Sequence, residues 1–323
     1  MDKRLLITLA LICFLINAPH MKMWFNPSID GVRDYYEISN NMLDGKWMWT
    51  CSDYFFIYGC HVERNWYPFF PILLMPIILI FPTPMILFLV SAIFYILAVY
   101  TFKLMSDKTL TLCFMSLTYP HMFTGGIESM YLFFSCGFFY CLLKNNGWGM
   151  SVFCSLGILG RPSVGVCLLI VYLFYQLKNG LKINTITPMV VLVFMLSVNA
   201  TNSNNMFLNK YIESSNYYHN ISFPPDYTST QKLYNFFHNL FLSFFGGLAS
   251  VMLLFVFFVP MQLFIHFKKY SLFIVFLLSL GFVHSLYMVE PRYMLMSVLS
   301  LLVLREDVGF NSVSKNFVGG KLG

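Results

Sequence analysis

The feature that most constrains this chain is a succession of apolar segments, each roughly 15–25 residues long, that recurs along its sequence. Segments of this length match the hydrocarbon thickness of a bilayer. Hydrophobic residues make up 58% of the 323 residues and charged residues 11%. We therefore predict an all-α polytopic membrane protein that forms a single transmembrane domain over residues 1–323.

The order of the apolar segments predicts about ten transmembrane helices. Lys3 and Arg4 precede the apolar residues 5–18, and the Ala18–Pro19 junction is a poor cleavage site, so we expect an uncleaved signal anchor. Residues 66–81 are rich in proline and predict a re-entrant or interfacial piece. The later spans are predicted at about 85–102, 110–121, 129–143, 150–159, 163–177, 185–198, 237–266, 271–289 and 293–304.

The positions of the basic residues decide the predicted orientation. If residues 66–81 do not cross the membrane, every short cytoplasmic loop is basic, as the positive-inside rule expects. External loops then lie at about 26–66 and 201–236, with a short cytoplasmic tail at about 305–323. The net charge of +6 reflects this topology, and we predict no nucleic-acid partner. The active face is external, which means the periplasmic side of a bacterial inner membrane, or the endoplasmic reticulum lumen in a eukaryote.

The first external loop carries the acidic residues that most suggest catalysis. Asp30 and Asp34 precede an apolar face formed by Tyr35, Ile38 and Met42, whose spacing predicts a short amphipathic helix from Tyr35. A carboxylate beside a membrane groove can act as a general base toward an acceptor hydroxyl. The alternative is that both are solvated loop acids, with Asp34 capping the helix.

Three further charged residues fall at predicted external helix ends. Glu128 opens a span, where it either complements the helix dipole or acts as a second acid. Arg161 and Arg292 each lie next to a proline that starts a helix, Pro162 and Pro291. Each arginine either holds an anionic group or has a structural role, by reaching lipid headgroups or pairing with a neighbouring acid.

Four stretches resemble the GT-C superfamily of membrane glycosyltransferases, which use a polyprenyl-phosphate sugar as donor. The first is Asp30 with the segment from Tyr35 to Gly45, which is similar to the family's first external loop. The others are Tyr67-Pro68-Phe69-Phe70-Pro71, Glu128-Ser129-Met130-Tyr131 with Gly160-Arg161-Pro162, and Glu290-Pro291-Arg292-Tyr293. Relative to the family pattern, one extra residue separates Asp30 from the tyrosine, so Asp34 also remains a candidate base. The chain is also short for the superfamily.

The resemblance implies a GT-C-like helix bundle that transfers a sugar with inversion to an acceptor on a glycan, lipid or protein. Asp30 or Asp34 would be the base, and Glu128 would orient the acceptor or help to bind a divalent cation. The substrate- and phosphate-binding residues would be Arg161, Arg292, Arg64, His61 and Tyr35. The sugar, the acceptor, the metal requirement and the oligomeric state are left open.

Two other classes of membrane protein fit the same composition. A lipid-linked glycan flippase or transporter would also have about ten spans, but its charges should lie at mid-membrane depth. An O-antigen-type polymerase or ligase would have its essential charges in the loop at 201–236, which holds few. The acids of the first loop favour the monosugar transferase. Cys51 and Cys60, in the same loop, pair only if that loop faces an oxidising compartment.

Overall fold

The computed structural model describes a helical protein, in agreement with the predicted all-α class. The described residues are 32–46, 49–50, 61–62, 69–105, 127–160, 162–201, 227–245, 275–276 and 278–279. Within them the only strands are β1 (Trp49–Thr50) and β2 (His61–Val62), which form a two-stranded antiparallel sheet.

The first helix, α1 (Val32–Leu43), confirms the amphipathic helix predicted in the first loop. Tyr35, Ile38 and Met42 form its buried face, at the predicted helical spacing. The helix ends in a left-handed residue, Gly45 (φ 79°), whose N–H donates to the carbonyl of Met42. This is the glycine-terminated cap that satisfies the last carbonyls of a helix.

One detail of the first loop was predicted wrongly. The helix was expected to begin at Tyr35 with Asp34 as its cap, but α1 already includes Val32, so Asp34 lies in the first helical turn. A cap residue lies outside the helical backbone, so Asp34 does not have that role. An acid in the first turn is instead favoured by the positive end of the helix dipole.

The proline-rich segment forms α2 (Phe69–Ile80), a continuous helix that runs through Pro76. Its twelve residues rise about 18 Å, well short of a hydrocarbon core of about 30 Å. Pro71 lies in the first turn, where its missing N–H costs little, whereas Pro76 removes one interior hydrogen bond. α1 packs against this helix.

The remaining helices follow α2 along the chain, and the first five of them pack together as the bundle. They are α3 (Ile86–Lys103), α4 (Glu128–Leu143), α5 (Gly147–Gly160), α6 (Pro162–Asn179), α7 (Ile186–Thr201) and α8 (Ser229–Phe245), with a short 3₁₀ turn (Ile183–Thr185) before α7. α4 packs against both α3 and α5, and α5 also packs against α6 and α7. The core between these helices is rich in aromatic residues, including Phe134, Phe138, Phe139 and Tyr172.

The bounds of these helices agree with the predicted spans to within a few residues, with one exception. α8 begins eight residues before the span that was predicted to start at residue 237. Assignment of a helix as a membrane span also requires sufficient length and apolar composition. Among the described residues, one helix, Ile86–Lys103, is both long and apolar enough to cross a bilayer. The predicted spans at 110–121 and 293–304 lie outside the described residues.

Candidate functional site

The predicted site residues are Asp30, Asp34, Tyr35, His61, Arg64, Glu128, Arg161 and Arg292. The structure describes the side chains of two of them, Tyr35 and Glu128. For Asp34 and His61 it describes the backbone alone, in α1 and β2. The other four, which are Asp30, Arg64, Arg161 and Arg292, lie outside the described residues.

Glu128 is the first residue of α4 and is buried, with 7% of its surface exposed. A carboxylate at this position interacts favourably with the unpaired N–H groups of the first helical turn. The side chain also takes part in an interaction within the protein. Burial of a charged group at a helix end agrees with either role predicted for it, the structural one and that of a second acid.

The C-terminal end of α5 lies against the first turn of α4. The hydroxyl of Tyr131 donates to the carbonyl oxygen of Gly160 across 3.4 Å. A Cβ atom at Gly160 would lie 2.9 Å from Cε of Met130, so glycine allows this approach without a shift of the methionine side chain. Because α6 begins at Pro162, the Gly160-Arg161-Pro162 stretch joins two helices at the end of the bundle where Glu128 lies.

The aromatic residues at the start of α2 bring the first loop to the same region. The ring of Tyr35 packs edge-on against Phe70, with the ring centroids 5.1 Å apart. The neighbouring Phe69 packs against Phe134, one turn beyond Tyr131, at 5.8 Å. α1, α2 and the first turns of α4 are therefore linked by a continuous set of aromatic contacts.

Tyr35 contributes mainly to this packing, since only 7% of its surface is exposed. Its backbone carbonyl accepts a hydrogen bond from the hydroxyl of Ser39 at 2.5 Å. A direct contact between Tyr35 and a substrate remains a prediction.

The most informative residue at this end, Tyr131, was not singled out from the sequence. It lies three residues after Glu128 and so shares a helix face with it, which is the signal that sequence reasoning could have used. The partner of its hydroxyl, a backbone carbonyl 29 residues away, has no sequence signature.

No group of three or more His, Cys, Asp or Glu side chains that could hold a metal ion occurs in the part of the chain that the structure describes. Glu128 alone is too small a ligand set for Ca²⁺ or Mg²⁺, which take six or more oxygen ligands.

Comparison with protein-family models, curated proteins and solved structures finds no match for this chain.

Proposed function

We propose that this protein is a membrane glycosyltransferase of the GT-C type. It transfers a sugar from a polyprenyl-phosphate donor to an acceptor hydroxyl on the external face of the membrane. The observation that supports this best is the hydrogen bond from Tyr131 to Gly160. It joins the helix end that carries Glu128 to the Gly160-Arg161-Pro162 turn, two stretches that the resemblance assigns to one site.

The proposed reaction needs one base and fixed positive charge. Asp30 or Asp34 takes the proton from the acceptor hydroxyl, and the acceptor oxygen attacks the anomeric carbon of the sugar. The bond from that carbon to the phosphate oxygen breaks, the lipid phosphate leaves with the electron pair, and the configuration at carbon inverts. Arg161 and Arg292 stabilise the negative charge on the departing phosphate, with weaker contributions from Arg64 and His61.

Glu128 supports the reaction from the start of α4. Its carboxylate orients the acceptor hydroxyl or helps to bind a divalent cation that would neutralise the phosphate. Its burial at 7% exposure lowers the local dielectric constant, which strengthens any interaction with a charged or polar group of the substrate.

The membrane setting is part of the proposal. The exposed residues of α3 form an apolar stripe at helical spacing, as expected for a surface that contacts lipid. They are Leu89, Ile93, Leu97 and Tyr100, each between 39% and 55% exposed. We propose a bundle of about ten such helices, with the active face toward the periplasm or the endoplasmic reticulum lumen.

The test compares the surface glycans of cells that carry the wild type, Asp30→Asn, Asp34→Asn, Glu128→Gln or an empty vector, with the amount of each variant in the membrane measured. Glu37→Gln is the matched control, because Glu37 is an acid of α1 outside the proposed site. We expect one aspartate variant to accumulate normally and to give the glycan profile of the empty vector.

A wild-type profile from both aspartate variants would show that the first-loop acids are not catalytic. A lipid-linked glycan transporter would then be the better description, because transport does not need an external base.

A further inference from the structure

The second region of interest is a set of buried polar side chains at the other end of the α4–α5 pair. Gln176 of α6 has no exposed surface, and Asn184 and Thr185 of the 3₁₀ turn are 3% and 8% exposed. These three residues are called the polar cluster below. α4 is 16 residues long, so this end lies about 24 Å from Glu128.

Four atoms of the polar cluster lack a hydrogen-bond partner within the described structure. They are both amide atoms of Gln176, the Oδ1 atom of Asn184 and the Oγ1 atom of Thr185. Buried polar atoms are nearly always paired, and unpaired ones commonly mark the place of a water, an ion or a ligand. Four on three neighbouring side chains therefore indicate a binding site for a polar group.

The surrounding contacts hold the cluster in place. The hydroxyl of Tyr172 donates to the carbonyl oxygen of Gly147 at 3.2 Å and also lies within hydrogen-bonding reach of the side chains of Gln176 and Thr185. The hydroxyl of Ser151 donates to the carbonyl oxygen of Asn184 at 2.8 Å. These bonds fix the backbone around the cluster. The Tyr172 hydroxyl can partly satisfy Thr185 and one amide atom of Gln176, so the other amide atom of Gln176 and Oδ1 of Asn184 are left without a partner.

The residues around the cluster are those expected where a membrane protein meets the lipid headgroups. Lys178 and Lys182 lie close to it in the chain, Lys144 lies three residues before Gly147, and all three lysines are exposed. Trp148, next to Gly147, is 61% exposed. Tryptophan and lysine are enriched at the interface between the hydrocarbon core and water. The cluster therefore lies just beneath a basic surface at headgroup depth.

We propose that the polar cluster and these lysines bind the headgroup of an anionic phospholipid that carries hydroxyl groups, such as phosphatidylglycerol. The three lysines disfavour a cation and attract a phosphate. The cluster offers both donors and acceptors, which a phosphate with neighbouring hydroxyls can satisfy together. Asn184 and Thr185 contact the headgroup first, and Gln176 is reached directly or through one water.

This proposal depends on the membrane placement proposed above but not on the glycosyltransferase activity, so the two can fail separately. The full-length protein in neutral detergent is mixed with phosphatidylglycerol or phosphatidylcholine, and bound lipid is counted by native mass spectrometry. Soluble glycerol 3-phosphate is tested alongside, to separate a lipid headgroup from a free phosphate ester. We expect the wild type to prefer phosphatidylglycerol.

Two sets of variants test the two halves of the site. An exposed ion pair contributes about 1.4- to 5-fold in affinity, so Lys178→Gln with Lys182→Gln should weaken phosphatidylglycerol binding by about 2- to 25-fold. The control is Lys46→Gln, because Lys46 is also exposed but is distant from the cluster in the sequence. This substitution should leave phosphatidylglycerol binding unchanged. Gln176→Leu and Thr185→Val keep the charge, and each should weaken binding several-fold.

Three results would overturn the proposal. The first is equal binding of phosphatidylcholine and phosphatidylglycerol to the wild type. The second is unchanged binding in both Gln176→Leu and Thr185→Val, which would mean that the cluster holds only water and the lysines attract anionic lipid without a defined site. The third is binding of glycerol 3-phosphate as tight as that of phosphatidylglycerol, which would identify a free phosphate ester as the ligand.

Discussion

A close contact between two backbones of the bundle provides a sharp prediction. α5 and α6 approach each other at Gly157 and Gly165, where neither residue has a side chain to separate the backbones. A Cβ atom at Gly165 would lie 2.5 Å from the carbonyl carbon of Gly157 and from Cα of Ile158. Both are backbone atoms, so no side-chain rotation can make room for a methyl group, and Gly165→Ala must push the helices apart.

The expected cost follows from these distances. An ordinary contact of a Cβ atom begins at 3.4 Å and the backbone nitrogen of Ile158 would lie closer than either of these atoms, so α5 and α6 must separate by more than about 0.9 Å. A gap of that size forfeits roughly a quarter to a half of the dispersion energy of the contacts across the interface. Overpacking usually costs about 1–3 kcal/mol, and we expect Gly165→Ala near the upper limit because the obstacle is backbone.

Gly157→Ala is the matched control. A Cβ atom there would lie 3.2 Å from Cα of Gly165 and 3.3 Å from a side-chain carbon of Leu168, so a shift of about 0.2 Å is enough. Both substitutions gain the same helix propensity, up to about 1 kcal/mol. We therefore expect Gly157→Ala to be nearly neutral and Gly165→Ala to be clearly destabilising.

The measurement is thermal unfolding of the detergent-purified protein, followed by size-exclusion chromatography after heating. With an unfolding entropy of about 2.1 cal/mol/K per residue over the 323 residues, a loss of about 3 kcal/mol should lower the midpoint by about 4 °C. If Gly165→Ala and Gly157→Ala have the same midpoint as the wild type, the two helices do not cross at these glycines, and the packing described for α5 and α6 is wrong.

Three further predictions concern single groups. Tyr131→Phe leaves the Gly160 carbonyl without its donor and should lower the free energy of unfolding, measured by thermal denaturation, by about 1 kcal/mol. No change would mean that the 3.4 Å contact contributes nothing to stability. In Gly45→Ala the added Cβ atom meets no atom within 4 Å, but the residue must keep a positive φ, so the substitution should destabilise α1 by about 1–2 kcal/mol. Equal stability of the variant and the wild type would contradict the glycine cap at the end of α1. If the first loop faces an oxidising compartment, mass spectrometry of the protein isolated from cells should find Cys51 and Cys60 linked, and two free thiols would argue for a reducing compartment.

Local patterns in the sequence were sufficient to predict most helices. The spacing of Tyr35, Ile38 and Met42 predicts α1 because one face of a helix repeats every 3.6 residues, and the apolar runs predict α3 to α7. Pro162 was correctly predicted as the first residue of a helix, since its fixed φ and missing N–H suit only that position. The start of α1 was missed although Val32, three residues before Tyr35, continues the apolar face at helical spacing.

The contacts between distant residues were decided by the tertiary structure. Two of these contacts join residues on different helices: the hydrogen bond of Tyr131 to Gly160 and the close approach of Gly165 to Gly157. The burial of Gln176 likewise results from the packing of other helices around it. The sequence determined that this chain forms apolar helices, because backbone hydrogen bonding and side-chain periodicity are local. Which helix ends meet, and which polar groups are buried together, depends on how whole helices pack, and no short stretch of sequence contains that information.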